Sequence, residues 1–383
     1  KYAGWFATDL DWVLGRLHAR TFHVPALALP LGISFFTFHK ISYKVDVYRG
    51  VTAAQRNPAT LALYILFFPQ LIAGPIVRYH EISDQLGCRT VTGQDFALGI
   101  RRIIIGMSKK VLIANSVALA ADHIFNLATG ALGPATCWLG LTCYTLQIYF
   151  DFSGYSDMAI GLALLFGFRF PENFDHPYAS SSVTEFWRRW HMSLSRWFRD
   201  YLYVPLGGNR LGRRRTYLNL LIIFTLCGLW HGASWEFLVW GLFHGLFLVI
   251  ERLGFGSYLL RLPSLVRRSY TLLVVMVGWV FFRAGSLARA FAWLRSMAGH
   301  VGPQASEYPP GLYVDRWVLT MMAIGIVVSF PLRTLVARRA TLPGASFAAT
   351  FHFASAIGLA VLFSLSLTFI AAGTYSPFLY FRF

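Results

Sequence analysis

The sequence predicts an all-α, polytopic integral membrane protein, and its composition supplies the first two reasons. Hydrophobic residues make up 56% of the 383 residues and charged residues only 13%, with a mean hydropathy of +0.52. A soluble domain carries about 25% charged residues, so this chain lacks the charge to cover a water-facing surface. The second reason is the excess of 34 Lys and Arg over 17 Asp and Glu, because membrane proteins concentrate cations in cytoplasmic loops beside anionic lipid. Composition disfavours a soluble enzyme, a disordered chain and a secreted disulfide scaffold.

The third reason is a series of apolar runs, since a spanning helix needs about 20 mostly apolar residues. In chain order the runs cover residues 27–38, 59–73, 134–168, 217–250, 270–282, 317–336 and 351–372. The first two are short and interrupted. The third is long enough for two crossings, and the fourth is a double-length run interrupted at Gly228-Leu-Trp-His-Gly232. The remaining runs predict single spans, and residues 1–383 are predicted to form one membrane domain.

Basic clusters predict how these spans are oriented. Arginines concentrate in residues 210–215, before the fourth run, and again in residues 252–268 behind it. The positive-inside rule places both clusters in the cytoplasm, so the run between them should enter the membrane and return as a hairpin. By the same rule, the span at residues 270–282 runs outward and the span at residues 317–336 returns to the cytoplasm, where Arg338 and Arg339 follow it. The C-terminus is then outside.

Polar groups within apolar runs are costly, which makes them candidates for function. His231 follows about 14 apolar residues, or roughly 21 Å of helix, and so lies deep within a hydrocarbon core about 30 Å thick. The flanking Gly228 and Gly232 permit a break in the helix. A neutral imidazole at that depth can act as a general base. The alternative is a packing histidine that is hydrogen-bonded to a carbonyl group.

A second polar cluster covers residues 183–200. A continuous helix here would place three side chains on one face: Trp187, His191 and Ser195. Glu185 and Arg189 would form an ion pair one turn apart. The segment predicts an amphipathic helix at the membrane surface, whose arginines, including Arg188, either hold phosphates or only anchor the helix.

A third cluster places two carboxylates, Asp151 and Asp157, in an otherwise apolar run. Pairing with arginines from elsewhere in the fold is favoured over direct catalysis. No metal site is predicted, because no HxH or HxxxH motif occurs and the spacing between His231 and His244 is not diagnostic.

Several longer motifs resemble those of the membrane-bound O-acyltransferase (MBOAT) family. They are Ile33-Ser-Phe-Phe, Val45-Asp-Val-Tyr-Arg-Gly50, Phe68-Pro-Gln-Leu-Ile-Ala-Gly-Pro75, Tyr149-Phe-Asp-Phe-Ser-Gly-Tyr-Ser-Asp-Met-Ala159, Glu185-Phe-Trp-Arg-Arg-Trp-His191, Asp200-Tyr-Leu-Tyr, Leu206-Gly-Gly-Asn209 and Gly228-Leu-Trp-His-Gly232. They occur in the family's order, and the similarity extends from about Leu29 to Phe383. Within the family the chain is most similar to the bacterial branch that O-acetylates polysaccharides, in particular alginate.

The resemblance implies an MBOAT fold of spanning and re-entrant helices around a central channel, with the family's N-terminal helices missing before Lys1. It also implies that His231 is catalytic and that His191 matches a second polar position of the family. The candidates for binding the donor or lining the channel are Trp187, Arg188, Arg189, Trp190, Ser195, Trp230, Asp151 and Asp157.

The activity that the resemblance implies is transfer of an acetyl group from a cytoplasmic thioester, acetyl-CoA, across the bacterial inner membrane to an exopolysaccharide. Alginate is the expected acceptor, and periplasmic acetyltransferase proteins are the expected partners beside the lipid bilayer. Neither a bound cofactor nor nucleic acid is expected. The alternatives are acetylation of cellulose or peptidoglycan, a transporter or flippase of an acyl or saccharide carrier, and a scaffold without catalysis.

Overall fold

The computed structural model describes residues 2–17, 32–331 and 345–373, and all regular elements in this part of the chain are helices. Four of them are long and apolar enough to cross a membrane: Gly93–Phe125, Trp235–Leu259, Ser264–Arg283 and Phe353–Ala371. The chain therefore forms an all-α integral membrane protein, as the composition predicts. Arg338, Arg339 and the C-terminus, which the orientation prediction used, lie outside the described residues.

The helices are numbered here in chain order. The first half contains α1 (Tyr2–Arg16), α2 (Ile33–Tyr48), α3 (Pro58–Leu66), α4 (Phe68–Leu71), α5 (Tyr79–Gly87), α6 (Gly93–Phe125, with a π turn at Lys109–Ala114) and α7 (Pro134–Leu165). The second half contains α8 (Val183–Arg189), α9 (Met192–Phe198), α10 (Gly212–His231), α11 (Trp235–Ile250, extended by a π turn), α12 (Ser264–Arg283), α13 (Leu287–Met297), α14 (Arg316–Val328) and α15 (Ala345–Ala371).

Helices α6 and α7 pack closely through glycines. A Cβ atom added at Gly106 would lie 2.5 Å from the carbonyl oxygen of Gly154, and one added at Gly161 would lie 2.7 Å from that of Gly99. Small residues at such positions let two helix backbones approach within a membrane. The run at residues 134–168, which is long enough for two crossings, forms a single helix of 32 residues, α7. Gly154 and Gly161 of α7 allow close packing against α6 and do not interrupt the helix.

The hairpin predicted between the two arginine clusters is confirmed. Helix α10 ends at His231 and α11 begins at Trp235, so the chain reverses over three residues. At the other end Arg252 Nη1 donates to Asn209 Oδ1 at 2.9 Å, which brings both clusters to the same end of the molecule. The arms touch backbone to backbone, because a Cβ at Gly228 would overlap the carbonyl oxygen of Phe237.

This close approach predicts a cost for any side chain at Gly228. We expect Gly228→Ala to destabilise the protein by about 1–3 kcal/mol, as overpacking of a core does, because the obstructing atom belongs to the backbone. Gly311→Ala is the matched control, since nothing lies within 4 Å of its added Cβ. Thermal unfolding in detergent tests both. Equal stability of the two variants would contradict the close packing of the hairpin.

The prediction of one amphipathic helix over residues 183–200 is wrong. The chain forms two short helices, α8 and α9, separated at His191, whose backbone is left-handed with φ 43° and ψ 55°. Trp187, His191 and Ser195 therefore do not share a helix face. The Glu185–Arg189 ion pair does form, at 2.7 Å within α8.

Residues 173–175 explain the break at His191. The amide of Met192 donates to the carbonyl oxygen of Asn173 at 2.9 Å, and the amide of Asp175 donates to that of Arg189 at 3.0 Å. Backbone groups on both sides of the break are thus satisfied by the neighbouring segment rather than by a continuous helix.

Candidate active site

His231 lies at the tip of the α10–α11 hairpin, where three aromatic rings surround it. Its imidazole centroid is 4.6 Å from the ring of Trp230, 5.1 Å from that of Trp240 on α11 and 5.1 Å from that of Phe282 on α12. The residue is 7% exposed. The sequence prediction that this histidine is buried within the apolar run is confirmed.

His191 lies in the turn between α8 and α9 and is 1% exposed. Its Nδ1 atom is 3.1 Å from Asn173 Oδ1. Since His191 lies outside the spanning helices, its ionisation follows from its surroundings in the protein, and burial lowers its pKa to about 3. The imidazole is therefore neutral at physiological pH. A non-glycine residue held in a left-handed conformation costs of order 1–3 kcal/mol and is typical of functional sites.

Trp230 joins the two histidines into one site. Its indole centroid is 6.5 Å from the ring of His191 and 4.6 Å from that of His231. Phe35 of α2 covers the same region, at 5.8 Å from Trp230 and 6.5 Å from His191. Residues far apart in the sequence thus form one aromatic cluster, called the chamber below, that includes the two imidazoles.

The other tryptophans predicted near the site are packing residues in the described structure. Trp187 contacts the rings of Trp240 and His244 at 5.6 and 5.0 Å, and Trp190 stacks on Phe186 at 5.5 Å. Both are at most 8% exposed. They hold α8 against the core.

The polar candidates of the same segment point to structure more than to ligand binding. Ser195 Oγ donates to the carbonyl oxygen of Trp187 at 3.0 Å, which links α9 to α8. Arg189 is engaged by Glu185, and Arg188 is exposed. Donor binding by these arginines stays a prediction.

Asp151 and Asp157 connect α7 to α6 through ion pairs. Asp151 pairs with Lys110, and Asp157 pairs with Lys109 at 2.6 Å and with Arg102 at 2.8 Å. The structure thus shows the pairing that the sequence favoured, although two of the three cations are lysines. These carboxylates hold the two long helices in register.

A cavity of about 760 Å³ opens beside the His191 turn. Its polar lining includes the cations Arg101, Arg102 and Lys109, the carboxylates Asp157, Glu172 and Asp175, and the side chains of Ser156 and Asn173. The cavity therefore reaches the residue that holds His191. Sequence reasoning missed these cations, because α6 was not predicted.

His244 enters the sequence analysis only through its spacing from His231, which is not diagnostic of a metal site. It is fully buried, and a Cβ at Gly278 would overlap its Nε2. Among the described residues neither of its ring nitrogens has a hydrogen-bond partner.

Asn173 was also missed in the sequence, because its importance comes only from its contact with His191. Within residues 2–17, 32–331 and 345–373, no group of three His, Cys, Asp or Glu side chains could hold a metal ion.

Comparison with known families identifies the family of the chain. The family model described as MBOAT, membrane-bound O-acyltransferase family, matches residues 33–292. The chain belongs to the MBOAT family. The matched region contains both histidines, Trp230 and Asn173, so the whole chamber lies within the MBOAT match. This MBOAT chain is an acyltransferase and an integral membrane protein, as the resemblance of its motifs implied.

Three bacterial relatives of this MBOAT chain align over its full length. A Pseudomonas putida protein named probable alginate O-acetylase AlgI is 43% identical and is covered over 81% of its own length. The protein of the same name from Azotobacter vinelandii is 41% identical, with 81% of its length covered. A Helicobacter pylori peptidoglycan O-acetyltransferase is 35% identical, with 79% covered.

Proposed function

We propose that this acyltransferase moves an acetyl group from acetyl-CoA on the cytoplasmic side of the bacterial inner membrane toward O-acetylation of an exopolysaccharide, with alginate as the acceptor. The observation that carries the proposal is the pair of buried histidines whose rings lie near that of Trp230. Acyl transfer to a hydroxyl needs a group that takes a proton and a group that stabilises the charge on the acyl oxygen. The two imidazoles can supply both.

In this proposal His231 takes the proton of the attacking hydroxyl or receives the acetyl group transiently, and His191 orients the acyl carbonyl or stabilises its developing negative charge. The chamber serves the reaction in the same way if the two histidines exchange these roles. The thioester carbonyl and the attacking hydroxyl meet beside Trp230, within an aromatic wall that excludes water and strengthens the electrostatic contribution of each imidazole.

Three cations in the cavity beside the His191 turn, Arg101, Arg102 and Lys109, are candidates for contact with the phosphates of an anionic thioester donor. Three carboxylates, Asp157, Glu172 and Asp175, line the same cavity and balance the formal charge of these cations. Asp157 and Glu172 pair with Arg102, and Asp157 also pairs with Lys109. Arg188 and the arginines of residues 210–215 stay further candidates for contact with the donor.

The names of the relatives support O-acetylation, and the higher identities belong to the alginate O-acetylases. We propose periplasmic acetyltransferase proteins as partners that pass the acetyl group to the polymer.

The acceptor is tested by deleting the gene in its own host and measuring acetyl groups on each purified polymer. We expect acetyl groups to disappear from alginate while the acetyl content of peptidoglycan is unchanged, and plasmid-borne wild type to restore them. Loss of acetylation from peptidoglycan alone would overturn the alginate proposal and favour the acceptor named for the Helicobacter pylori relative.

A further inference from the structure

The cavity beside the His191 turn has an apolar wall and a charged wall. The charged wall consists of the three cations of α6, Asp157 of α7 and two carboxylates of residues 172–175. The volume of about 760 Å³ lies within the range of about 300–1,000 Å³ that ligand sites occupy. Such walls suit a ligand with one polar and one apolar part, because each part is then matched by its surroundings. The apolar wall consists of side chains from α6, α7 and α14: Leu98, Ile105, Ile160, Leu164 and Val328.

The cavity lies at the boundary between lipid and water. Glu172 and Asp175 on its charged wall are exposed, and exposed carboxylates face water rather than hydrocarbon. Leu98 and Val328 on its apolar wall are also exposed, and Leu98 belongs to the spanning helix α6. An exposed leucine on a spanning helix is in contact with lipid. A lipid can therefore enter the cavity from the side while its headgroup stays at the water boundary.

Most of the charged groups in the cavity are paired with one another. Asp157 of α7 pairs with Lys109 and with Arg102 of α6. Glu172, in the segment that follows α7, pairs with Arg102 as well. This network contains two cations and two carboxylates, so it leaves no net charge for a ligand to neutralise.

Two charges of the cavity lie outside this network, one of each sign. Arg101 lines the cavity and forms no ion pair with any described residue. Asp175 also lines it, and its carboxylate contacts the imidazole of His176 at 3.2 Å, a group that carries charge only when it is protonated. The Arg102–Glu172 pair holds α6 against the segment that carries Asp175, so both charges face the same cavity.

A positive and a negative group in one cavity complement a zwitterionic ligand. Arg101 offers a planar fork of N–H donors to a phosphate, and Asp175 accepts hydrogen bonds from a primary ammonium group. A quaternary ammonium has no N–H to donate, and an anionic headgroup leaves Asp175 without a positive partner. Phosphoethanolamine carries both charges, and on a diacylglycerol it adds acyl chains for the apolar wall.

We propose that the cavity binds one molecule of phosphatidylethanolamine, with its phosphate at Arg101, its ammonium at Asp175 and its acyl chains along Leu98 and Val328. This site goes beyond acyl transfer. It assigns Arg101 to lipid, and the thioester donor is then left to the arginines outside this cavity.

The lipid would also support the wall that holds His191. Asn173 lines the cavity, and its Oδ1 lies 3.1 Å from His191 Nδ1. A ligand that binds only the folded protein stabilises it. We therefore expect phosphatidylethanolamine to raise the melting temperature of the delipidated protein in detergent.

Native mass spectrometry of the delipidated full chain in detergent tests the site. The protein is mixed with equal amounts of phosphatidylethanolamine, phosphatidylcholine and phosphatidylglycerol of one acyl composition, and the bound lipid is identified by its mass. We expect one bound phosphatidylethanolamine in about threefold or greater excess over either competitor, which corresponds to the contribution of one exposed ion pair. A preference for phosphatidylglycerol, equal binding of the three lipids or no bound lipid would overturn the proposal.

Two variants with different signatures locate the lipid. Arg101→Gln removes the phosphate contact and should weaken the binding of all three lipids about tenfold. Asp175→Asn removes the ammonium contact and should reduce the ratio of bound phosphatidylethanolamine to phosphatidylglycerol to about one or below. Arg295→Gln and Asp84→Asn are the matched controls, because they replace exposed side chains outside the cavity, and should bind lipid as the wild type does. Unchanged binding in Arg101→Gln would place the lipid elsewhere and overturn the proposal.

Soluble competitors separate the lipid from other sources of the same charges. Glycerophosphoethanolamine carries both charges but no acyl chains, so it should not displace the lipid at an equal concentration. Acetyl-CoA should not displace it either. Displacement by glycerophosphoethanolamine would assign the cavity to a soluble zwitterion, and displacement by acetyl-CoA would assign it to the donor. Either result would overturn the lipid site and leave the proposed acyl transfer standing.

Discussion

His231→Ala lowers the acyl-transfer rate by about 10²–10⁴-fold and leaves the protein folded in the membrane. Loss of a general base costs about 10²–10⁴-fold, and loss of one donor to a developing oxyanion costs about 10²–10³-fold. A large loss therefore follows from either role of the imidazole. The measurement is the initial rate of acetyl transfer by purified protein in proteoliposomes, at equal amounts of protein.

The matched control for this variant is His300→Ala, which removes an exposed histidine outside the chamber and should leave the rate within twofold. Thermal unfolding of both variants excludes a loss of fold. A transporter or scaffold with a structural histidine would keep its rate of polymer acetylation in His231→Ala. That result would remove the histidine pair from the mechanism.

Asp151→Ala destabilises the protein by about 3–5 kcal/mol, because it leaves a buried cation without its partner. The side chain of Asp151 is 2% exposed and that of Lys110 is 13% exposed, so water can replace little of the lost interaction. Denaturant titration in detergent micelles measures the change.

The double variant Lys110→Met/Asp151→Leu removes both charges and should recover most of the lost stability, since replacing a buried ion pair by apolar residues is often neutral. Asp175→Ala is the control for an exposed carboxylate: 61% of its side chain is accessible, and we expect a change below about 1 kcal/mol. Equal effects of Asp151→Ala and Asp175→Ala would contradict the role of Asp151 in joining α6 to α7.

The hairpin could be predicted from the sequence because its signals are local. Two arginine clusters flank an apolar run with glycines at its centre, and His231 occupies the tip that those glycines allow. The same information placed the histidine in the interior of the protein. A helix end or a chain reversal that Gly marks within an apolar run can be predicted without knowledge of distant residues.

Helix α6 was missed for the opposite reason. Arg101, Arg102, Lys109 and Lys110 interrupt its apolar pattern, although its best window reaches a hydropathy of 1.6. The carboxylates that pair with Arg102, Lys109 and Lys110 lie about 40–70 residues later, on α7 and the segment behind it. A search for apolar runs along one chain cannot show that a charge is neutralised by a distant partner.

The geometry of His191 was also beyond local reasoning. Spacing of three and four residues predicts a shared helix face, and nothing in residues 183–200 marks a left-handed residue at 191. The break is stabilised by backbone hydrogen bonds to residues 173–175 and by Asn173 itself. The chemical role of His191 depends on those contacts, so the sequence could name the residue but could not assign its protonation.

The most direct test of acyl transfer uses acetyl-CoA labelled in the acetyl group, with purified protein in proteoliposomes. The label is supplied on the face that carries residues 210–215, together with a polysaccharide acceptor and the proposed periplasmic acetyltransferase partners on the other face. Wild type is predicted to move label onto acceptor hydroxyls, and His231→Ala and His191→Ala are predicted to move at least a hundredfold less. Equal transfer by the wild type and both variants would contradict the assignment of the two histidines around Trp230 as the active site.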